Sequence, residues 1–245
     1  MKTKALFFGS DNNSRIVLEA LRRYPRLQLV NSLADKPAIG ILASYGHIIT
    51  EDTLTAIPKG ILNVHPSLLP KYRGPTPVPT AILNGEATTG VTIIKLDREV
   101  DHGPIVIQKE IPISANDTSA SLLKKLFCLG ADLMLKILPD YLSGKIEPRP
   151  QNHSLATFTQ KLTRDSGFIP AAQLFTDPAI TERKIRAYNP WPGVWTEIGH
   201  KRLKIIEAHL ENGKLFLDLV QLEGKKPVSW KQLSEGHPEI NLGPV

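Results

Sequence analysis

The stretch ILNVHPSLLPKYRG, residues 61–74, opens as a strand and breaks at once into a proline-punctuated loop. Ile61, Leu62 and Val64 give the apolar run of a strand covered on both faces, yet Asn63 and His65 interrupt it and Pro66 follows directly. Side chains alternate along a strand, so Asn63 and His65 share one face while Leu62 and Val64 occupy the other. Burying an amide and an imidazole without partners costs on the order of 1–3 kcal/mol each, so the pair is either hydrogen-bonded within the core or held open for a ligand. The strand alone leaves both readings standing. It places the pair at a carboxyl end, where ligands bind in doubly wound sheets.

Working outward, KALFFGS and AIGILASYG are further apolar runs, and NSRIVLEALRRYP is helical, with a start at Asn13 or Ser14 and a stop at Pro25. TEDTLTAIPKG gives a short helix closed by Pro58. Strands alternating with helices predict a parallel sheet covered on both faces. Downstream, PVPTAILNG is a short helix, and TGVTIIKLD and GPIVIQKEIPI are strand-like runs around the turn REVDHG. A long amphipathic helix follows an N-cap at Asp117 or Thr118, with its stripe at Leu122, Leu126, Leu129, Leu133 and Ile137 and its end near Pro139. Its Cys128 is expected to pack, and as the single cysteine of the chain it excludes an internal disulfide.

Residues 143–160 are rich in proline and polar residues and read as a linker. Beyond them, the helix DPAITERKIRAY is followed by short strands GVWTEI, RLKIIEAHL and KLFLDLVQL, separated by GHK and ENG turns. The expected organisation is an α/β, Rossmann-like doubly wound domain over residues 1–150, a connection at 151–160, and a small OB-like β-barrel over 161–245.

Hydrophobic residues make up 41% of the 245 and charged residues 22%, the balance of an ordinary globular protein. No apolar run approaches the roughly 18 residues of a spanning helix, so a cytoplasmic location and no membrane partner are expected. The net charge of +6 suits a polyanion, with local concentrations at HKRLK (200–204), GKK (224–226), Lys71 and Arg73, each of which is by default a solvated face.

Asp101, in the turn VDHG, supplies what Asn63 and His65 lack. A carboxylate facing a histidine favours the imidazolium, a cationic hydrogen-bond donor. Asn and His donors converging on one point form an oxyanion hole, and the Asp accepts a proton directly or through water. GxSxG is absent, so the set fits acyl transfer without a covalent intermediate. Metal binding by His47, His65, Asp101 and His102 lacks an HxH, HExxH or CxxC spacing, and FFGSDNNS is not the GxGxxG of a dinucleotide site.

NVHPSLLPKYRG followed by VDHGPI resembles the gapped signature of the folate-dependent formyltransferases. KIRAYNPWPGVWTEI, LVQLEGKKPVSWKQL and ATFTQKLTRDSGFI resemble the C-terminal domain of methionyl-tRNA formyltransferases, so the likeness runs from about residue 38 to the end. The resemblance implies formyl transfer from 10-formyltetrahydrofolate to the α-amino group of initiator methionyl-tRNA. Asn63 and protonated His65 would stabilise the oxyanion and Asp101 would serve the proton transfer. It implies folate contacts at Ser67, Leu68, Leu69 and Pro70, at Tyr45 and Gly46, and along Val100 to His102. It gives the tRNA to Lys71, Arg73, Lys201, Arg202, Lys204, Lys225 and Lys226, with no metal and a monomeric protein, while Trp191 and the prolines of NPWPG are expected to pack. The chain departs from the family between its first helix and the ASYG strand, where a basic loop and further strand–helix units give way to RLQLVNSLADKP alone. LQLV there reads equally as a strand or as part of a helix. An amino-sugar-nucleotide formyltransferase, a formyltetrahydrofolate hydrolase and a non-catalytic RNA-binding remnant are the alternatives. The NPWPG and GKKP segments argue against the first, the missing regulatory domain against the second, and the intact triad against the third.

Overall fold

A computed structural model describes residues 2–238, 240 and 242. Four strands run parallel at one side of a six-stranded sheet: β1 (Thr3–Phe8), β2 (Leu27–Val30), β3 (Ile39–Ala43) and β4 (Ile61–His65). β5 (Thr88–Lys95) and β6 (Ile105–Pro112) complete the order β2-β1-β3-β4-β5-β6, both antiparallel to their neighbours. The sheet is therefore mixed where the strand–helix alternation predicted a parallel one. The connection between β5 and β6 is too short for a parallel crossover, which needs a dozen or more residues, so those two strands must form a hairpin.

Leu27–Val30 pairs with Thr3–Leu6, which settles LQLV as an edge strand with Leu27 buried and Gln28 exposed. α1 (Asn12–Arg22) starts earlier than its sequence signals: Asp11 is the N-cap, and its carboxylate accepts from the Ser14 amide at 2.8 Å. α2 (Glu51–Ala56) and α3 (Pro77–Leu83) are short. α4 (Ser119–Leu142) continues through Pro139, and Tyr141 beyond it is buried and donates its hydroxyl to the Lys59 carbonyl at 2.8 Å. Its buried stripe includes Leu122, Leu126, Ala131, Met134 and Leu138. Leu129 and Leu133 are only half-buried and Cys128, off the stripe, is exposed rather than packed.

The chain divides into two compact units, one of Met1–Val78, Ala87–Ile113 and Leu122–Gln160, the other of Pro79–Glu86, Ser114–Ser121 and Lys161–Val245. Residues 149–160, read from composition as a connection, form a strap along the first unit. Arg149 exchanges two backbone hydrogen bonds with Ile105, and Arg73 is bonded to Thr157 and Thr159. In the second unit β7 (Val194–Ile198), β8 (Lys201–Glu211), β9 (Lys214–Leu222) and β10 (Val228–Ser229) make an antiparallel sheet in the order β10-β9-β8-β7. α5 (Pro178–Ala187) packs on β8 and β9, and α6 (Trp230–Gly236) follows β10. Trp191, expected to pack, is 53% exposed.

In the first unit the two faces of β4 differ. Leu62 and Val64 point to α4, which comes so close at Gly130 that a Cβ there would lie 2.4 Å from Val64 Cγ1. Gly130→Ala sets a helix-propensity gain of about 1 kcal/mol against an overpacking cost of about 1–3 kcal/mol. Because Val64 is 1% exposed and cannot move aside, the cost prevails. Urea denaturation is expected to show a lower midpoint for Gly130→Ala at unchanged slope.

Candidate active site

The other face of β4 turns from apolar to polar along its length. Ile61 sits in a cluster with Leu6, Leu42 and Ile57, and two and four residues on, Asn63 and His65 follow on the same face. Both are buried, at 6% and 4% exposure, so their polar atoms need protein partners. Asp101 is the principal one. Its Oδ1 accepts from Asn63 Nδ2 at 3.2 Å and lies 3.3 Å from His65 Nδ1, while its Oδ2 accepts from the Gly74 amide at 2.9 Å. His65 Nε2 faces the Tyr72 carbonyl at 3.0 Å. Each ring nitrogen thus meets an oxygen that accepts, an arrangement the doubly protonated ring satisfies.

The route by which Asp101 arrives follows from the hairpin. Lys95 pairs with Leu62 and the Leu96 amide donates to Ile61, so β5 ends beside the amino end of β4. The turn then folds back over the face of the sheet to reach Asn63 and His65. Asp101 carries φ +50° within it. Gly103 closes the turn against β5, where a Cβ would sit 1.9 Å from the Lys95 carbonyl oxygen. Burial by itself raises the Asp101 carboxyl. Attraction to His65, hydrogen bonds from His65 and the Gly74 amide, and the charge of Arg73 outweigh it and hold the carboxyl below its ordinary 3.8.

The loop after β4 is rigidly tied. The Ser67 hydroxyl donates to the Lys71 carbonyl at 2.7 Å, and Thr92 Oγ1 donates to the Ser67 carbonyl at 2.7 Å and accepts from the Leu69 amide at 3.2 Å. Gln108 Nε2 donates to the Leu69 carbonyl at 2.9 Å. Ser67 is fully buried, so its hydroxyl shapes the loop rather than facing a ligand, whereas Leu68 and Pro70 are half-buried and Leu69 is buried. Tyr45 is half-buried, edge-on to Phe8 and His47, and Gly46 beside it is exposed. Val100 is 60% exposed, and His102 is bound to Asp97 at 2.6 Å and stacked on His153 at 3.9 Å between ring centroids.

Of the cationic residues, Lys71, Lys201, Arg202, Lys225 and Lys226 are exposed and Lys204 is half-buried. Arg202 lies over the Trp195 ring at 4.0 Å. Arg73 is a correction. It is 3% exposed, with its guanidinium bound to Gln151 Oε1 at 2.7 Å and His153 Nδ1 at 2.9 Å, and so is removed from any nucleic-acid contact. Sequence reasoning missed Gln151, Gly74 and the Tyr72 carbonyl. The last two act through the backbone, and Gln151 lies in the stretch read as a linker. Among the described residues, no group of three or more His, Cys, Asp or Glu is placed to hold a metal ion, and no helix is long and apolar enough to cross a membrane.

The family model described as formyl transferase matches residues 22–138, and that described as formyl transferase, C-terminal domain, matches residues 175–215. The chain is 42% identical over 225 residues to the methionyl-tRNA formyltransferase of Roseiflexus castenholzii, a match covering 81% of this chain and 71% of that relative. It is 46% identical over 191 residues to the enzyme of the same name from Chloroflexus aurantiacus, covering 78% and 60%. The chain therefore spans only part of the length of either relative. The solved structure of methionyl-tRNA formyltransferase from Clostridium thermocellum shares its fold, with a TM-score of 0.68 over 90% of this chain and 98% of that one at 18% identity.

A carboxyl whose folded value is lowered stabilises the fold above its unfolded value and loses that contribution as pH falls through the folded one. Wild-type stability should therefore decline below about pH 4, and Asp101→Asn should lack this component of the decline. Urea midpoints for the two proteins between about pH 6 and pH 2.5 measure it; parallel curves would show that Asp101 carries no such coupling.

Proposed function

The chain belongs to the methionyl-tRNA formyltransferase family, and on that premise we propose that it transfers a formyl group from 10-formyltetrahydrofolate to the α-amino group of initiator methionyl-tRNA, as a monomer in the cytoplasm. The observation that carries the proposal is the single carboxylate of Asp101 engaged at once by Asn63, His65 and the Gly74 amide.

The neutral amine attacks the formyl carbon, a C–N bond forms, and the carbonyl pair moves onto oxygen. Asn63 Nδ2 has two hydrogens, one directed at Asp101 and the other for the oxyanion. His65 adds positive charge beside that oxygen, in a site where burial makes charge count for more than in water. Asp101 is an acceptor at neutral pH, since its ordinary value of 3.8 already lies far below neutrality and the site lowers it further. It takes the proton released by the attacking nitrogen, directly or through a water, and delivers it to N10 of the folate. The C–N10 bond then breaks, leaving tetrahydrofolate and formylated methionyl-tRNA.

The donor contacts fall to the half-buried Leu68 and Pro70 of the tied loop, which the buried Ser67 and Leu69 hold in place, to Tyr45 and Gly46, and to Val100, Asp101 and His102. The half-buried Tyr45 ring and the exposed Val100 side chain offer apolar surface suited to a flat heterocycle. Lys71, Lys201, Arg202, Lys204, Lys225 and Lys226 serve the phosphates of the tRNA, and the Arg202–Trp195 stack fixes one guanidinium in place.

Supplying 10-formyltetrahydrofolate with methionyl initiator tRNA, unacylated tRNA, an amino sugar nucleotide or no acceptor separates the readings. Formyl-methionyl-tRNA should appear in the first mixture alone; folate release without an acceptor, or a formylated sugar, replaces the proposal. Asp101→Asn should lower kcat about 10³-fold or more with tRNA affinity within about threefold, and activity within about tenfold of wild type removes Asp101 from the chemistry.

A further inference from the structure

The strap after α4 reaches Asp101 twice. Gln151 is 5% exposed, and its Nε2 donates to the carbonyl oxygens of Asp101 and of Gly103, each at 2.8 Å, using both amide hydrogens. These carbonyls flank His102, so one side chain grips the turn on both sides. Gln151 Oε1 accepts from Arg73 at 2.7 Å, and the Arg73 backbone is bonded to Thr157 and Thr159 at 2.8 Å each. The next amide, of Gly74, is the one bound to the Asp101 carboxylate. The backbone of Asp101 and its carboxylate are thus fixed from the same segment, with Gln151 joining the two routes.

We propose that Gln151 is a positioning residue for formyl transfer, holding the Asp101 turn in the conformation that brings its carboxylate to Asn63, His65 and the Gly74 amide together. The inference rests on the role given to Asp101 above. Three features support it. Asp101 is held at φ +50°, in the left-handed region that Asp enters more readily than most side-chain-bearing residues but still at a cost, which contacts on both sides of the turn offset. The Asp101 side chain is nearly buried, so small displacements alter its partners. The Gln151 side-chain amide spends its oxygen and both its hydrogens on the two loops that carry the site's polar groups.

The charged and titratable groups around Asp101 are His65 on β4, Arg73 on the following loop, Asp97, Glu99 and His102 on its own turn, and His153 on the strap. His102 is engaged by Asp97, and His153 Nδ1 accepts from Arg73, which can only donate. Loosening the turn therefore acts on Asp101 chiefly through weaker contact with His65 and the Gly74 amide, and its carboxyl rises.

Gln151→Ala removes all three bonds, and Gln151→Met removes them while keeping the volume; the folded fraction of each is measured alongside its rate. Steady-state kinetics across pH should show kcat reduced about 10- to 100-fold, KM for 10-formyltetrahydrofolate within about threefold, and the acid limb displaced to higher pH. A carboxyl carbon NMR titration of Asp101 should show its midpoint moving the same way. A purely structural Gln151 would lower the folded fraction and leave kcat per folded molecule and the Asp101 midpoint where they were; that result overturns the inference. If the wild-type protein formylates none of the acceptors, the proposed function fails, and the NMR midpoint alone still decides whether Gln151 sets the state of Asp101.

Discussion

The Asp101 carboxylate is the point on which the first unit converges. Its two oxygens collect an amide from β4, an imidazole from β4 and a backbone amide from the loop beyond, with side-chain exposure of 12%. An unpaired charge at that depth would cost several kcal/mol, and each donor would be unsatisfied without it. Carboxylate and donors are therefore mutually required, and the elements carrying them must all be in place at once. The glycines at 103 and 130 serve the same end, one letting the turn lie against β5 and the other letting α4 settle behind β4.

Much of this was legible because the polar residues stand out against an apolar background. Asn63 and His65 in the middle of ILNVH can be assigned to one face from alternation alone, and Asp101 between two strand-like runs is an obvious carboxylate to pair with them. The direction of its approach was not legible. A sequence pattern gives strand existence, whereas the sense of β5 depends on how a short connection closes, and only the register shows the turn bending back over the sheet.

Two further misreadings share one cause. Arg73 follows a lysine and a tyrosine in a loop and looks like a solvent-facing cation, and PRPQNHS looks like a tether. Composition treats each separately, but they pair: Gln151 and His153 both accept from the buried Arg73 Nη2, and Arg73 and Gly74 lie beneath the segment. Partners 78 and 80 residues apart leave no trace in a local window. The alternative readings of LQLV were likewise decided by pairing with β1, not by propensity.

The strap also sets an order of events during synthesis. Asn63 and Asp101 are 38 residues apart and can meet while the chain is still short, but Arg73 waits 78 residues for Gln151. Doubling the separation adds only about 0.6 kcal/mol of loop-closure cost, so the order follows from which residues emerge first. A nascent chain that has just completed its central strands therefore has Asn63, His65 and Asp101 in hand but not the Gln151 side chain that grips the Asp101 turn. The cluster around Asp101 is complete only when the stretch beyond α4 has emerged and been laid across the first unit, so the completion of that unit, rather than the formation of β4, is the moment at which the cluster comes into being.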